Sequence, residues 1–310
     1  MILSCTVTEK YDGRELKSFL RHELCLSASM LRRLKSVHGI YVDGAPAYTN
    51  HRLRAGNAVT VDISAAEPPC DLVPQAGHLE ILYENSGLIA VNKPCGVIVH
   101  PSHAKYTGTL ANFVAGYLQD TCGSGVCHAV NRLDRDTGGV VLFAKNSHFK
   151  ALASKALSSP DAIKEYLALV HGHFDQDSGT IDLPIRRAEE HKLLRIPAED
   201  GQPAVTHYEV AFSGVYEGEA VSLLRLRLET GRTHQIRVHC LAVGHPRLGG
   251  IMYHTEASLS FSARIGMSAQ ALHAHRLDFT DPVTGGRVSI AAPQRRSDVC
   301  KIIDCLGKKC

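Results

Sequence analysis

A proline-rich linker at residues 64–78 divides this chain of 310 residues into two segments with different hydrophobic patterns. Proline removes a backbone hydrogen-bond donor, and the linker lacks helical or strand periodicity, so we expect a tether rather than a folded element. A chain of this length typically forms about two domains and buries enough surface to fold without disulfide or metal cross-links. With 44% hydrophobic and 21% charged residues, the composition excludes a disordered, collagen-like or coiled-coil protein.

The segment before the linker, residues 12–63, shows two helical patterns followed by two short strands. Leu16 and Leu20 recur at helical spacing, and Ser27 is predicted to cap the second helix because its hydroxyl accepts from the first turn. Asp43 and the glycine after it predict a tight turn between the strands. We therefore expect a small helix–helix–strand module. Its clustered basic side chains are Arg32, Arg33, Lys35, Arg52 and Arg54.

The segment after the linker, residues 79–296, alternates apolar strand-like runs with helical stretches, so it predicts one larger α+β domain. Residues 297–310 contain cysteine and lysine and are expected to form a C-terminal tail. No apolar run approaches the ~18 residues of a membrane span, so no membrane association is predicted. The net charge of +3 alone gives little support for a protein that binds polyanions.

A crowded polar turn with the sequence NRLDRDTGG, residues 131–139, lies just before an apolar strand. Rigid scaffolds present catalytic groups on such turns. Asp134 stands between Arg132 and Arg135, and these cations favour an ionised carboxylate, which is able to serve as nucleophile or base. From spacing alone the alternative stays open that Asp134 is a helix cap or part of a surface salt bridge.

Two further segments carry polar side chains suited to a binding cleft. The strand KEYLALVHG, residues 164–172, places Tyr166 where it can stack on a base or move a proton, although most strand tyrosines belong to the core. The segment GRTHQIRVHCLAVG, residues 231–244, predicts a helix capped by Thr233. Arg237 on this helix either clamps a carboxylate or phosphate or lies on a solvated face.

The 18 histidines of the chain do not predict a metal site. Pairs such as His171 and His173 share a strand face, but no carboxylate completes a ligand motif such as HExxH. The sequence also lacks phosphate-binding loops of the GxGxxG or GxxxxGKS type, so no nucleotide cofactor is predicted. We therefore expect a protein that works without a metal or cofactor.

Taken in chain order, three segments closely resemble the three motifs of RluA-type pseudouridine synthases: NRLDRDTGG, KEYLALVHG and GRTHQIRVH. Residues 88–102 and 272–285 also resemble segments that flank those motifs, so the resemblance spans about 80–295. The leading module resembles the ribosomal protein S-four-like RNA-binding domain, which often precedes this catalytic domain. The resemblance implies an α+β fold whose catalytic domain has a mixed, mainly antiparallel sheet of pseudouridine synthase type.

The resemblance implies an isomerase that converts uridine to pseudouridine within folded RNA, by detaching the base, turning it and rejoining it through carbon five. It identifies Asp134 as the essential aspartate, which attacks the anomeric carbon, attacks the ring or removes a sugar proton. Tyr166 matches the tyrosine that lies against the target base, and Arg237 matches the basic residue that pairs with the aspartate. Arg132 is expected near the flipped nucleotide. Two further substrate-binding residues are predicted from the helix itself: Arg232 at its entry, and Leu241 one turn from Arg237 on the same face.

The first residues do not form a signal peptide, and the ten cysteines are scattered, so we expect a cytoplasmic protein with reduced thiols. We expect a monomer, and the resemblance implies RNA as its partner and no cofactor or metal. The S-four-like module favours ribosomal RNA, and transfer RNA is the alternative substrate. A catalytically silent RNA-binding protein on the same scaffold is disfavoured because the three key residue types are present. A glycosidase is also disfavoured, since that chemistry uses a pair of opposed carboxylates and Asp136 is the only second acid near Asp134 in the turn.

Three positions depart from the family pattern. Asn131 stands where histidine is commoner, Gly138 where serine is commoner, and Gly250 where an aspartate usually follows glycine. None of these positions coincides with the aspartate, the tyrosine or the arginine. We expect the departures to affect local loop packing and substrate choice rather than the reaction.

Overall fold

The segments on either side of the linker form an N-terminal module with a small sheet and a larger domain with a ten-stranded sheet. The computed structural model describes residues 1–102, 105–188, 194–267 and 269–307. The helices in these ranges are α1 (Leu16–His22), α2 (Ala28–Ser36), α3 (Leu110–Cys122), α4 (Ser147–Leu157), α5 (Gln235–Ala242), α6 (Glu256–Arg264) and α7 (Ser297–Cys305). The strands of the module are β1 (Ile2–Thr6), β2 (Ile40–Val42), β3 (Ala45–Pro46) and β4 (Ala58–Asp62). The remaining strands are β5 (Ile81–Glu84), β6 (Leu88–Lys93), β7 (His128–Ala129), β8 (Gly138–Ala144), β9 (Ile163–His171), β10 (Ser178–Asp182), β11 (Ile185–Arg187), β12 (Arg195–Pro197), β13 (Val205–Tyr216), β14 (Glu219–Leu228), β15 (Leu272–Thr280) and β16 (Arg287–Ala291).

The module has the two predicted helices and the predicted strands β2 and β4, and it adds β1 at its start and the two-residue strand β3 after the turn. The Ser27 hydroxyl accepts a hydrogen bond from the Met30 amide at 3.1 Å, which confirms the predicted cap of α2. Asp43 and Gly44 have left-handed φ angles of 49° and 79°, as the predicted hairpin turn requires. The predicted start at residue 12 was too late, because β1 pairs with β4. The exposed serine and threonine of β1 flank a half-buried cysteine and give little hydrophobic alternation.

The module packs on the larger domain, although the linker was expected to act as a tether. Ile63 of the module and Leu142 of β8 belong to one hydrophobic cluster. Arg33 Nε donates to the Ala66 carbonyl at 2.6 Å, and Arg33 Nη2 donates to the Ser147 hydroxyl at 3.2 Å. Because its guanidinium is used in this junction, the prediction that Arg33 binds RNA is corrected.

Glu67 of the linker joins the module to the start of α4. Its carboxylate accepts from the Ser147 amide and hydroxyl, both at 3.0 Å, and lies 2.7 Å from His128 Nε2. A carboxylate at a helix N-terminus is also favoured by the helix dipole. Burial raises the pKa of Glu67, but the hydrogen bonds from His128 and Ser147 outweigh burial, so the net pKa is lowered.

Glu67→Gln should lower the free energy of unfolding at pH 7 by about 1.5–3 kcal/mol, the range for hydrogen bonds to a charged group. Because the folded-state pKa is lowered, this contribution is present above the unfolded pKa of about 4.3 and is lost as the pH falls through the folded pKa. Urea unfolding at a series of pH values should therefore show wild type and variant converging on acidification. The exposed Glu9→Gln control should follow the wild type, and a difference for Glu67→Gln that is independent of pH would contradict this role.

The large sheet has the strand order β10-β13-β14-β9-β15-β8-β6-β5, with β16 paired to β15 and β7 to β8. Strands β15 and β8 run parallel, whereas the other pairings among the described strands of this sheet are antiparallel. The prediction of an α+β fold with a mixed, mainly antiparallel sheet is confirmed.

Gly139 lies where the parallel strands β8 and β15 meet. Its φ is 111°, and a Cβ at this position would stand 2.1 Å from the Ala274 carbonyl oxygen. Only glycine fits both the backbone angle and the close approach. This contact brings the polar turn that precedes β8 to the start of β15.

The central strands β6 and β8 are buried along almost their full length, which explains their continuous apolar sequences. Side chains on one face, including Ile89 and Val141, pack against α3. Side chains on the other face, including Leu88 and Leu142, pack against α4 and the module. The two layers fix the sheet that carries the polar turn.

The C-terminal residues form part of the larger domain rather than a separate tail. Val299 and Ile302 lie on α7, and Leu306 follows its end. All three are buried in one cluster with Phe261 and Leu223. The predicted tail at 297–310 is therefore corrected for its described residues, and residues 308–310 lie outside them. In the described ranges, no helix combines the length and hydropathy needed to cross a membrane.

Candidate active site

One pocket gathers the polar side chains of the three sequence motifs. Asp134 and Arg132 reach it from the turn before β8, Tyr166 from β9, and Arg232 and Arg237 from the start of α5. These segments are far apart in the chain. They meet because β9 pairs with β14 and β15, and β15 pairs with β8.

The Asp134 carboxylate pairs with the Arg237 guanidinium, with 2.9 Å between Oδ2 and Nη1. The Asp134 side chain is 32% exposed and the Arg237 side chain 12%. The guanidinium therefore lies deeper, and the carboxylate remains accessible from the pocket. A charge-assisted hydrogen bond of this length fixes the direction of the carboxylate.

Tyr253 packs against the arginine of this pair. The Arg237 guanidinium carbon lies 4.8 Å from the centre of the Tyr253 ring, a cation–π contact. The Tyr253 hydroxyl accepts from the Arg195 amide at 2.8 Å and lies 3.0 Å from His234 Nδ1. The other ring nitrogen of His234, Nε2, lies 3.9 Å from Asp134 Oδ2.

The His234 imidazole is neutral near pH 7. Burial, together with the charge of Arg237, lowers the pKa of His234 to about 4, and this outweighs the opposing effect of Asp134. The sequence motifs did not predict a role for His234 or for Tyr253. For His234 a signal was present, because it stands three residues before Arg237. For Tyr253 the fold alone provides the contact.

Tyr166 keeps its phenolic proton at neutral pH. Burial raises the pKa of Tyr166 to about 12, and the charge of Asp134 adds to the effect. Pairing of β9 with strands on both sides fixes the position of the ring in the pocket. The side chain therefore presents an apolar ring and a hydroxyl that acts as a hydrogen-bond donor.

Lys93 anchors the Asp134 loop, which spans residues 130–137. The buried Lys93 ammonium donates to the carbonyls of Pro94, Val97 and Arg135 at 2.9, 2.7 and 2.8 Å. Burial lowers the pKa of Lys93 to about 8, while the three carbonyls match the three donors of its charged form. These bonds tie the end of β6 to the residue that follows Asp134.

Two of the predicted substrate-binding residues lie at the pocket, and one does not. Arg132 and Arg232 line it, and both residues are exposed. Leu241 packs instead in the cluster that contains Ile185 and Val238, so its predicted substrate contact is corrected. Only the first turn of α5 faces the pocket, and Leu241 lies in the second.

The start of α5 differs by one residue from the predicted cap. His234, not Thr233, is the cap residue, and it has a left-handed φ of 59° without a side-chain capping bond. Gln235, the first residue of the helix, instead reaches back: its side-chain oxygen accepts from the Arg232 amide at 2.9 Å and holds the segment that enters the helix. Gly244, with φ 83°, follows the helix end as expected.

Two departures from the family pattern have local structural consequences. The Asn131 side chain donates to the Val140 carbonyl at 3.1 Å and accepts from the Leu142 amide at 2.7 Å, so it ties the Asp134 loop to β8. A Cβ at Gly138 would lie 3.2 Å from His273 Nδ1, so glycine leaves space beside that imidazole. Neither residue touches Asp134 in the contacts described.

Among the described residues, no group of three or more histidine, cysteine or acidic side chains is placed to hold a metal ion. The described pocket lining combines cationic, aromatic, amide and hydroxyl groups with aliphatic side chains, and Asp134 is the carboxylate among them. Such a set suits an anionic, planar ligand and a reaction driven by that carboxylate.

Residues 87–242 match a sequence model of the family described as RNA pseudouridylate synthase. A Bacillus subtilis protein named uncharacterized RNA pseudouridine synthase YhcT is 34% identical over 291 residues, which cover 94% of this chain and 93% of that protein. A Nitrosomonas europaea protein named ribosomal large subunit pseudouridine synthase D is 35% identical over 248 residues, which cover 79% of this chain and 71% of that protein.

The solved structure of human RNA pseudouridylate synthase domain containing 1 has the same fold, with a TM-score of 0.59 and 24% identity over 76% of this chain and 98% of that one. The predicted family is confirmed by the sequence matches, which span the pocket and most of the chain. We conclude that this chain belongs to the RNA pseudouridylate synthase family and is an RNA pseudouridine synthase, an isomerase that acts on RNA.

Proposed function

We propose that this enzyme isomerises uridines in large-subunit ribosomal RNA, with Asp134 as its catalytic carboxylate. The observation that carries the role of Asp134 is its 2.9 Å pairing with Arg237 in a pocket that also holds Tyr166. Similarity to the Nitrosomonas europaea protein named for the ribosomal large subunit supports the choice of RNA.

The reaction breaks the bond between uracil N1 and ribose C1′ and forms a bond between C5 and C1′. The C5 proton leaves, and N1 gains a proton, so atoms and charge balance without another reactant. An ionised Asp134 serves attack on C1′, attack on the ring or removal of a sugar proton. Arg237 orients the carboxylate in each of the three cases.

Tyr166 and Arg132 have separate proposed roles in holding the nucleotide. The Tyr166 ring lies against the target base, and its protonated hydroxyl helps to move the C5 proton. Arg132, exposed at the pocket rim, takes the place that the flipped nucleotide leaves in the RNA. Flipping costs a few kcal/mol, and it costs least for a uridine in a loop or bulge.

We propose that the enzyme acts as a cytoplasmic monomer. Sedimentation at micromolar concentration would detect a dimer.

Mapping pseudouridines by chemical labelling in cells with and without the gene tests the substrate. We expect one or more sites to disappear from large-subunit ribosomal RNA when the gene is deleted. Losses confined to transfer RNA would overturn the substrate proposal and leave the chemistry unaffected.

The N-terminal module is proposed to be an S-four-like domain that binds phosphates of the same RNA. Four of its predicted basic residues are exposed: Arg32, Lys35, Arg52 and Arg54. Arg52 Nη1 also donates to the Gly13 carbonyl at 3.0 Å. Arg33 is excluded from this surface because it bonds to Ala66 and Ser147.

A triple variant with glutamine at positions 32, 35 and 54 should bind RNA more weakly and with a smaller salt dependence. Each phosphate contact that is lost reduces the slope of log K against log salt by about 0.7–0.9. Filter binding of a ribosomal RNA transcript at several salt concentrations measures the slope. Arg264→Gln, a change to an exposed arginine of α6 that contacts Glu219, is the matched control. An unchanged slope in the triple variant would exclude these side chains from the RNA interface.

A further inference from the structure

Arg247 is a buried arginine beneath the proposed active site. It is 1% exposed, and burial lowers the pKa of its guanidinium to about 10. Arg247 Nη1 donates to the side-chain oxygen of Gln270. Among the residues that the structure describes, Nε and Nη2 of Arg247 have no hydrogen-bond acceptor. A buried arginine without a carboxylate partner is costly, so a compensating role is expected.

A chain of hydrogen bonds leads from Arg247 to the catalytic loop. The side-chain amide of Gln270 donates to the Thr137 hydroxyl oxygen at 2.7 Å. The Thr137 amide donates to the Asp134 carbonyl at 3.2 Å. Gln270 and Thr137 are 5% and 2% exposed, so water competes little with these bonds.

The backbone around Gln270 is fixed from the opposite side. Arg296, at the start of α7, donates through its guanidinium to the carbonyls of Ala269 and Gln270. Arg296 is held in turn by Asp298. The Gln270 side chain therefore projects from a rigid segment, and its two polar atoms connect Arg247 to Thr137.

Gly250 leaves the Arg247 guanidinium without an acidic neighbour at that position, so that the guanidinium pairs with Gln270 instead. A Cβ at position 250 would lie 3.1 Å from Arg247 Nη2. The aspartate that is usual at this family position would therefore stand beside the guanidinium. With glycine in its place, the side-chain hydrogen bond of the Arg247 guanidinium within the described residues is the one to Gln270.

We propose that Arg247 and Gln270 are positioning residues that hold the Asp134 loop through Thr137. This inference rests on the proposed catalytic role of Asp134. Neither residue lines the pocket, so both act on the rate through the loop rather than through contact with RNA. A small misplacement of a reacting group lowers a rate by about 10²-fold, which sets the expected scale.

The test compares Gln270→Met with Gln270→Glu. Methionine keeps the shape of glutamine and removes both hydrogen bonds, whereas a glutamate carboxylate accepts from Arg247 and from the Thr137 hydroxyl. We expect Gln270→Met to lower the single-turnover rate by about 10²-fold with unchanged RNA affinity. Gln270→Glu should recover most of that loss. Gln75→Met, which removes a linker glutamine's bond to the Gly108 amide, is the matched control and should react like the wild type.

The rate is measured as tritium release from a pool of ribosomal and transfer RNA transcripts labelled at uracil C5, and RNA affinity by filter binding. The double variant Arg247→Met/Gln270→Met should be no slower than the slower single variant, because both remove one connection. Three results would overturn the proposal. The first is a double variant whose loss is the product of the two single losses. The others are a Gln270→Met variant with the wild-type rate and a Gln270→Glu variant as slow as Gln270→Met. If Gln270→Met does not fold, Thr137→Val against Thr137→Ser makes the same comparison from the other end.

Failure of this inference is distinguishable from failure of the proposed function. An active Asp134→Asn variant refutes the role of Asp134 itself. An inactive Asp134→Asn variant together with a fully active Gln270→Met variant refutes only the positioning role. The pooled transcripts keep the wild-type rate measurable when the assigned RNA is wrong.

Discussion

Asp134→Asn should lower the rate of pseudouridine formation by about 10⁴-fold, the upper end of what a positioned acid or base contributes. Asparagine keeps the shape of the side chain and an oxygen that accepts from Arg237, so the 2.9 Å contact in the pocket is able to persist. The amide is neither a nucleophile nor a base at neutral pH. Tritium release from RNA labelled at uracil C5 reports the reaction directly, because C5 loses its hydrogen.

The matched control is Asp136→Asn, two residues further along the same loop. Asp136 pairs with Arg135 at 2.9 Å on an exposed part of the loop, and this pair is not among the residues that line the pocket. We expect near wild-type turnover for Asp136→Asn and unchanged RNA affinity for both variants. Appreciable turnover by Asp134→Asn would refute its assignment, and equal losses in the two variants would favour two carboxylates acting together.

The sequence predicted the pocket well where chemistry and motif coincide. Asp134, Tyr166 and Arg237 lie in three separate motifs, and the structure brings all three into one pocket. Strand pairing places them there, and apolar runs such as β8 predict that pairing. The contacts that support Arg237 were not predictable. The Tyr253 ring packs on its guanidinium and the Arg195 amide donates to the Tyr253 hydroxyl, and only the fold brings these residues together.

For the basic residues of the module, by contrast, the sequence did not predict which side chains are exposed. Arg32 and Arg33 are neighbours with the same side chain, yet Arg32 is exposed and Arg33 bonds to Ala66 and Ser147. The local sequence does not distinguish an exposed arginine that is free to bind phosphate from one whose guanidinium donates to a backbone carbonyl. The segment at 297–310 was assigned as a tail for a similar reason, since a short amphipathic pattern does not reveal the surface that covers it.

Arg237→Met should lower the rate at saturating RNA by about 10²–10³-fold, comparable with removing one preorganised hydrogen-bond donor from an active site. Methionine retains apolar contact with the Tyr253 ring, so the packing of α5 is largely kept. The Asp134 carboxylate loses the guanidinium that fixes its direction. Arg237→Lys should recover part of the rate, because an ammonium restores the charge without the planar fork of donors.

Two measurements separate this role of Arg237 from direct phosphate binding. If Arg237 acts through Asp134, the loss appears in the rate and not in the RNA affinity, and Asp134→Asn/Arg237→Met is no slower than Asp134→Asn alone. If Arg237 binds a phosphate instead, the variant weakens RNA binding and reduces the salt slope by about 0.7–0.9, with the rate at saturation preserved. Arg264→Met, a change on the exposed face of α6, controls for the loss of one positive charge. The Arg237 side chain is 12% exposed and the Asp134 side chain 32%, so the carboxylate is the more accessible partner, which favours the first outcome.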